Sequence, residues 1–61
     1  MTKEERQGAI LDSLMKSGSA QVTELSASLR VSSATIRKDL TELEKEGKLY
    51  RSHGKAIYIY P

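Results

Sequence analysis

The chain has 61 residues, of which 38% are hydrophobic and 30% charged, and its formal net charge is +2. A chain of this length forms one domain at most, with a small core, and the composition is typical of a folded domain rather than a disordered segment. It contains no cysteine, which excludes disulfides and cysteine-based zinc sites. No apolar run is long enough for a signal peptide or a membrane span, so we expect no membrane contact and a cytoplasmic location.

A first helix is predicted over residues 3–17. Thr2 and Glu5 have the Thr-x-x-Glu spacing of a capping box, in which each side chain bonds the backbone N–H of the other residue. Gly18 is a typical residue at which a helix stops. The apolar face has helical spacing and consists of Ile10, Leu11 and Leu14.

A second helix is predicted over residues 22–29, after a polar connection at residues 19–21 that is at most a strand of one or two pairs. Its apolar stripe, at spacings of three and four residues, consists of Val22, Leu25 and Leu29. Gln21 is a poor N-cap, and Glu24 in the first turn partly offsets this through the helix dipole. Val31 is apolar where a turn is usually polar, and we expect it to fill the angle between the second and third helices.

A third helix is predicted over residues 33–46, with Ser32 or Ser33 as its N-cap and an end near Gly47. Its core stripe is Ile36, Leu40 and Leu43. Asp39 is an acid beside two bases. Either it pairs with a base such as Lys38 or Arg51 and orients it, or it faces solvent, and the sequence leaves both interpretations open.

After Gly47 the polarity alternates with a period of two, around His53-Gly54-Lys55, which predicts a β-hairpin or wing over residues 49–60. We expect Ile57 and Ile59 to face the helices, and Tyr58 and Tyr60 to face the other way. Those tyrosines either cover the back of a thin sheet, form an interface, or stack on single-stranded nucleic acid. The predicted fold is therefore mainly α with a small β-hairpin, a three-helix winged helix-turn-helix forming one domain over residues 1–61.

The start of the third helix carries small polar residues followed by two bases, which is the pattern of a helix that enters the major groove of DNA. Arg37 is the strongest candidate, because its guanidinium can grip either guanine or a phosphate. The candidate DNA contacts in this segment are Ser32, Ser33, Ala34, Thr35, Arg37 and Lys38. The predicted hairpin adds three side chains that either track the phosphate backbone or enter the minor groove: Arg51, His53 and Lys55.

The competing interpretation of the same residues is structural. In it, Ser33 is a helix cap, Thr35 bonds its own helix backbone, and Arg37 pairs with an acid one turn away. For His53 the corresponding interpretation is a turn residue, because a metal site would need a second histidine or a cysteine. No nucleophile–base pair or glycine-rich phosphate loop is present, so we expect neither an enzyme nor a cofactor.

Taken together, these motifs resemble the N-terminal domain of the DeoR family of bacterial transcriptional regulators. The resemblance rests on Arg6, Ile10-Leu11, Leu14, Gly18, Glu24-Leu25, Leu29, Val31-Ser32, Thr35-Ile36-Arg37-Lys38-Asp39-Leu40, Leu43-Glu44, Gly47, Leu49, Arg51 and His53-Gly54. It implies a winged helix that binds double-stranded DNA in a regulator, typically a repressor, of a sugar or nucleoside catabolic operon. It also implies that a phosphorylated-sugar effector binds a C-terminal domain outside this chain. The full-length protein is then expected to be a homo-oligomer and this domain a monomer.

Two other functions fit the same sequence. A winged helix also serves as a protein–protein interaction module, since fold does not determine function, and the modest net charge and the tyrosine strand favour that alternative slightly. RNA binding is the other alternative. Both differ from duplex DNA binding in the partner that the chain selects.

Overall fold

A computed structural model describes residues 1–60 of the chain and shows three helices and three short strands. In chain order these are α1 (Lys3–Ser17), β1 (Ser19–Gln21), α2 (Val22–Leu29), α3 (Ser33–Lys45), β2 (Leu49–Ser52) and β3 (Lys55–Tyr58). The predicted winged helix-turn-helix is therefore confirmed, and α3 ends one residue before its predicted end. In the described part of the chain, no helix has the length and apolarity needed to cross a bilayer.

The helix ends follow from local hydrogen bonding. At the start of α1, Thr2 Oγ1 accepts from the Glu5 N–H at 3.1 Å and Glu5 Oε1 accepts from the Thr2 N–H at 2.8 Å, which completes the capping box. At the start of α2, Glu24 Oε1 accepts from the backbone N–H of Gln21 at 3.0 Å. Glu24 therefore satisfies a backbone donor directly, in addition to its favourable position near the helix dipole.

The core lies between the three helices and one face of the sheet. Its best-buried side chains come from all three helices and from the sheet. None of them is more than 3% exposed: Ile10, Leu14, Leu25, Ile36, Leu40, Leu43, Leu49 and Ala56. Val31 packs against this cluster from the turn between α2 and α3, which confirms that it fills the angle between those helices. Burial of apolar surface holds the α3 stripe inward and leaves its opposite face exposed.

The sheet has three strands in the order β1-β3-β2, so the last strand of the chain lies in the centre. The segment predicted as a polar connection is a full strand, in which Ser19, Ala20 and Gln21 pair with β3. The pairing of Gln21 with Lys55 brings the start of α2 beside the tip of the hairpin.

The faces of β3 are opposite to the prediction. Ala56 is fully buried and Tyr58 packs against the core, whereas Ile57 is only half-buried and Ile59 is exposed. The cause is the turn, which contains two residues and not three, so that Ser52 pairs with Lys55 and Leu49 with Tyr58. Directly opposed residues share a face, and a shift of one residue exchanges the faces of a strand. Tyr60 lies beyond β3 and is exposed, with its ring edge-on to that of Tyr58.

Candidate nucleic-acid interface

The turn between α2 and α3 is fixed by a left-handed residue and two hydrogen bonds. Arg30 ends α2 with φ of 57°, a conformation that allows the chain to reverse at the cost of some strain. The Val31 N–H donates to the Ser26 carbonyl at 3.1 Å, and the Ser26 hydroxyl donates to the Val31 carbonyl. With the apolar contact of Val31, these bonds set the angle at which α3 leaves α2.

The start of α3 is capped by Ser32. Its Oγ accepts from the Thr35 N–H at 3.2 Å and donates to Thr35 Oγ1 at 2.9 Å. Ser32 and Ala34 are exposed, and Ser33 and Thr35 are half-buried. The structural interpretation that Ser33 is the cap is therefore wrong, and Thr35 binds Ser32 rather than its own helix backbone.

The two bases that follow project from the exposed face of α3. Arg37 and Lys38 are exposed, and within residues 1–60 neither takes part in an ion pair. The interpretation that Arg37 pairs with an acid one turn away is therefore wrong. The acids of the second half of α3 and its C-cap are engaged elsewhere, since Glu42 pairs with Lys3, and Glu46 with Lys48.

The tip of the wing is a two-residue turn formed by His53 and Gly54. Both residues have positive φ, 51° and 78°, as the type I′ turn of a tight hairpin requires at both central positions. Glycine is well suited to the second position because it has no Cβ to clash there. His53 and Lys55 are exposed, so the turn presents both side chains to solvent.

Arg51 joins the wing to α3 through both its backbone and its side chain. Its N–H donates to Glu44 Oε2 at 3.2 Å, and its Nη1 donates to Thr41 Oγ1 at 3.1 Å. The Thr41 hydroxyl in turn donates to the Arg37 carbonyl at 2.9 Å. Since Arg51 remains exposed, the guanidinium keeps donors free for an anionic ligand while the helix supports its position.

These elements surround an open groove of about 350 Å³ between α2, α3 and the wing. Three of the predicted site residues line it, together with the end of β1, the start of α2 and the glycine of the wing turn: Gln21, Val22, Thr23, Arg37, Arg51, His53 and Gly54. The other predicted residues do not line this groove: Ser32, Ser33, Ala34, Thr35, Lys38 and Lys55. The sequence does not predict Gln21 and Thr23 as site residues. They are identified by the structure, in which the pairing of β1 with β3 brings them to the groove.

Asp39 has a role that neither interpretation of the sequence anticipated. It is buried, and it pairs with Arg6 of α1 rather than with Lys38, Arg51 or solvent. Its spacing from Ile36 places it on the core side of α3, which is a signal that was present in the sequence. No buried side-chain nitrogen or oxygen in the described residues lacks a hydrogen-bond partner.

The contacts between α1 and α3 shift the pKa values of their carboxyl groups. The hydrogen bond from Arg6 lowers the pKa of Asp39, against the opposing effect of burial. The hydrogen bond from Lys3 likewise lowers the pKa of Glu42. Both acids are therefore held in the charged form, and their negative charge is balanced by α1 rather than by the exposed bases of α3. In residues 1–60 the structure shows no cluster of three or more potential metal ligands.

Comparison with known proteins agrees with this geometry. The family model described as a DeoR-like helix-turn-helix domain matches residues 6–61. The chain belongs to this family. The predicted resemblance is therefore confirmed, and the match includes the whole segment from Arg6 through α3 to the wing.

Several relatives are named as activators or repressors. The chain is 48% identical over 58 residues to an L-fucose operon activator of Escherichia coli (strain K12), which covers 95% of this chain and 24% of the relative. It is 50% identical over 56 residues to a lactose phosphotransferase system repressor of Streptococcus mutans, covering 92% of this chain and 22% of the relative. A putative aga operon transcriptional repressor of Escherichia coli O157:H7 is 47% identical over 53 residues, which is 87% of this chain and 20% of the relative.

The chain thus spans about a quarter of the length of the curated relatives that it matches. No solved structure matches it significantly. The similarity therefore concerns the helix-turn-helix part of these relatives and not their remaining length.

Proposed function

We propose that this chain binds double-stranded DNA in a sequence-specific manner, as the DNA-binding part of a transcriptional regulator of a carbohydrate operon. The observation that carries the proposal is the groove in which Arg37 of α3 lies beside Arg51 and His53 of the wing. Names of relatives include an activator and repressors, and the DNA contact proposed here is common to both modes of regulation.

The exposed start of α3 supplies the base-reading part of the proposal. Ser32, Ser33, Ala34 and Thr35 are small enough to let the helix approach base edges in the major groove. Arg37 follows them on the exposed face, and its planar fork suits the O6 and N7 atoms of guanine. We assign base contact to this segment and phosphate contact to Lys38, whose ammonium group is a point charge.

The groove and the wing beside it supply the phosphate-binding part. Arg51, His53 and Lys55 carry the positive or titratable side chains of the wing, and Thr23 adds a hydroxyl from α2. Phosphate contacts fix the orientation of a protein on the duplex without reading sequence. We propose that the wing and the start of α2, which lie side by side at the groove, together grip the backbone next to the base-reading helix.

We propose three further properties for the full-length regulator. The regulator is cytoplasmic, because its partner is chromosomal DNA. It acts as a homo-oligomer on repeated half-sites, since a single module of this size makes few contacts and binds weakly. A phosphorylated sugar, if it is the effector, binds outside these 61 residues.

A titration of the chain with DNA tests the proposal. The probe is a duplex obtained by selection from a randomised pool on the immobilised chain, and backbone amides are followed by NMR at two salt concentrations. We expect salt-dependent shifts in residues 32–38 and 51–55 and at Thr23, because neutralising phosphates releases counterions. Shifts centred on Tyr58 and Tyr60, or tighter binding to RNA than to duplex DNA at equal salt, would support one of the alternative functions instead.

Replacement of Arg37 gives the quantitative test. Arg37→Ala is expected to weaken binding to the selected duplex by about 1–3 kcal/mol if the side chain reads a base. Lys16→Ala is the control, because Lys16 is also an exposed cation and lies in the last turn of α1, away from the groove. Equal affinity of Arg37→Ala and the wild-type chain would contradict the assignment.

A further inference from the structure

An ion pair between Arg6 and the buried Asp39 joins α1 to α3 at the edge of the core. The Asp39 side chain is 2% exposed and the Arg6 side chain 18% exposed. Arg6 donates from Nε to Asp39 Oδ2 and from Nη2 to Asp39 Oδ1, the second bond being 2.9 Å long. Gln7 adds a third donor to Oδ1 at 3.3 Å.

The geometry of this pair restricts how α3 can lie against α1. A planar guanidinium that binds both oxygens of a carboxylate accepts one relative orientation of the two groups. Apolar side chains of suitable volume tolerate rearrangement and lose uniqueness before they lose stability. One turn further along α3, Glu42 accepts from Lys3 at 2.9 Å, which aligns a second point of the same two helices.

Stability alone does not account for the pair. Removing two charges from water costs free energy that their attraction offsets only in part, and well-packed apolar residues of similar volume are often as stabilising. The neighbouring positions of α3 on the core side, Ile36, Leu40 and Leu43, are apolar and fully or almost fully buried. An apolar residue at position 39 would continue that surface.

Asp39 follows Arg37 and Lys38 directly, so its orientation about the axis of α3 determines theirs. We propose that Arg6 and Asp39 form a positioning pair that sets the rotation and register of α3 and thereby the sequence selectivity of DNA binding. This inference rests on the proposed function, because it assigns the pair an effect on base contacts made by Arg37 and the residues before it. Neither Arg6 nor Asp39 touches DNA in this proposal.

The test compares selectivity with stability in Arg6→Met/Asp39→Leu. The probes are the duplex selected on the wild-type chain and a scrambled duplex of the same composition. We expect the variant to fold with a melting temperature no lower than that of the wild type. Its affinity for the scrambled duplex should change less than about twofold, while its affinity for the selected duplex falls by about tenfold, as when a base contact is misplaced. The ratio of the two affinities is the readout that a purely structural role would not change.

Arg6→Gln/Asp39→Asn is a second variant that keeps polar partners, and it carries the test if the apolar pair does not fold. The matched controls are Lys16→Met/Asp12→Leu and Lys16→Gln/Asp12→Asn. Asp12 and Lys16 form an exposed ion pair of α1, with side chains that are 63% and 76% exposed. Both controls leave the net charge unchanged, as the variants do, and should keep the wild-type affinity ratio.

Two results would overturn the inference. One is a folded variant with the wild-type affinity ratio, and the other is the failure of both variants to fold, which would assign the pair to stability. Failure of the proposed function is distinguishable, because it appears in the wild-type chain itself as equal affinity for the two duplexes or as no effect of Arg37→Ala.

Discussion

The guanidinium of Arg51 in the wing donates to the hydroxyl of Thr41 in α3 across 3.1 Å, and the same hydroxyl donates to the carbonyl of Arg37. Two cationic residues proposed to contact DNA are therefore linked through one threonine. The link exists because Arg51 lies opposite Ala56 in the hairpin, on the face of β2 that turns toward the helices. In the free protein Arg51 is already held at the groove.

Replacement of Thr41 by valine removes the hydrogen bond that holds Arg51 at the groove and should have little effect on the stability of the fold. Thr41 is exposed, so we expect Thr41→Val to change the free energy of unfolding by less than about 0.5 kcal/mol. DNA affinity should fall by about 0.5–1.5 kcal/mol, because an unsupported Arg51 has to be ordered on binding. Isothermal calorimetry with the selected duplex measures the loss.

The double-mutant cycle with Arg51→Ala provides the control for this prediction. If Thr41 acts through Arg51, Thr41→Val should have no further effect on affinity in the Arg51→Ala background. Arg51→Ala alone should reduce the slope of log affinity against log salt by about 1, as the loss of one phosphate contact predicts. Additive effects of the two substitutions would contradict the link.

The wing tip offers a substitution whose effects on stability and binding should have opposite signs. His53 has φ of 51°, and asparagine tolerates this conformation better than other residues with a side chain, especially before glycine. His53→Asn should therefore stabilise the fold by a fraction of the roughly 1–2 kcal/mol that the left-handed conformation costs. Its DNA affinity should nevertheless fall, since the asparagine side chain is shorter than that of histidine and reaches less far toward a phosphate. Unfolding in urea and DNA titration check the two signs, and unchanged affinity would restrict His53 to its role in the turn.

The sequence predicts the helices of this fold well because local signals agree with the core. The capping box at Thr2, the glycine after α1 and the serine before α3 each fix an end of a helix whose apolar stripe is regular. The same reasoning identified Val31 as a core residue in a turn. These features depend on residues close together in the chain.

Features that depend on pairing between distant segments were missed. The faces of β3 were assigned wrongly because the number of residues in the turn decides them, and Gly54 is compatible with either turn length. Gln21 and Thr23 were not associated with Arg37 and Arg51, because only the pairing of β1 with β3 brings them together. Asp39 was assigned no partner from α1, although its spacing from Ile36 places it on the core stripe.

Loss of the acid from the buried pair should cost more stability than loss of the acid from an exposed pair. Asp39→Ala leaves the half-buried Arg6 without its partner, and we expect the free energy of unfolding to fall by about 1–3 kcal/mol. Asp12→Ala removes an acid from an exposed ion pair of the same protein, and it should cost less than about 1 kcal/mol. Urea denaturation of both variants at neutral pH measures the difference. Similar losses in the two variants would contradict the importance assigned to the buried pair.

The dependence of the unfolding free energy on pH should also reveal the contribution of the Asp39 carboxylate. The hydrogen bond from Arg6 lowers the pKa of Asp39 below its ordinary value of 3.8 in the folded state. A carboxyl with a lowered folded-state pKa contributes stability that is fully present above the unfolded value and is lost as the pH falls through the folded one. The free energy of unfolding should therefore be steady from neutral pH down to about pH 5 and then decrease steadily below about pH 4. In Asp39→Asn this acid-induced loss should be smaller, although the variant starts from lower stability at pH 7. Urea unfolding of both proteins at a series of pH values tests this, and equally steep losses would mean that carboxyl groups other than Asp39 govern the acid response.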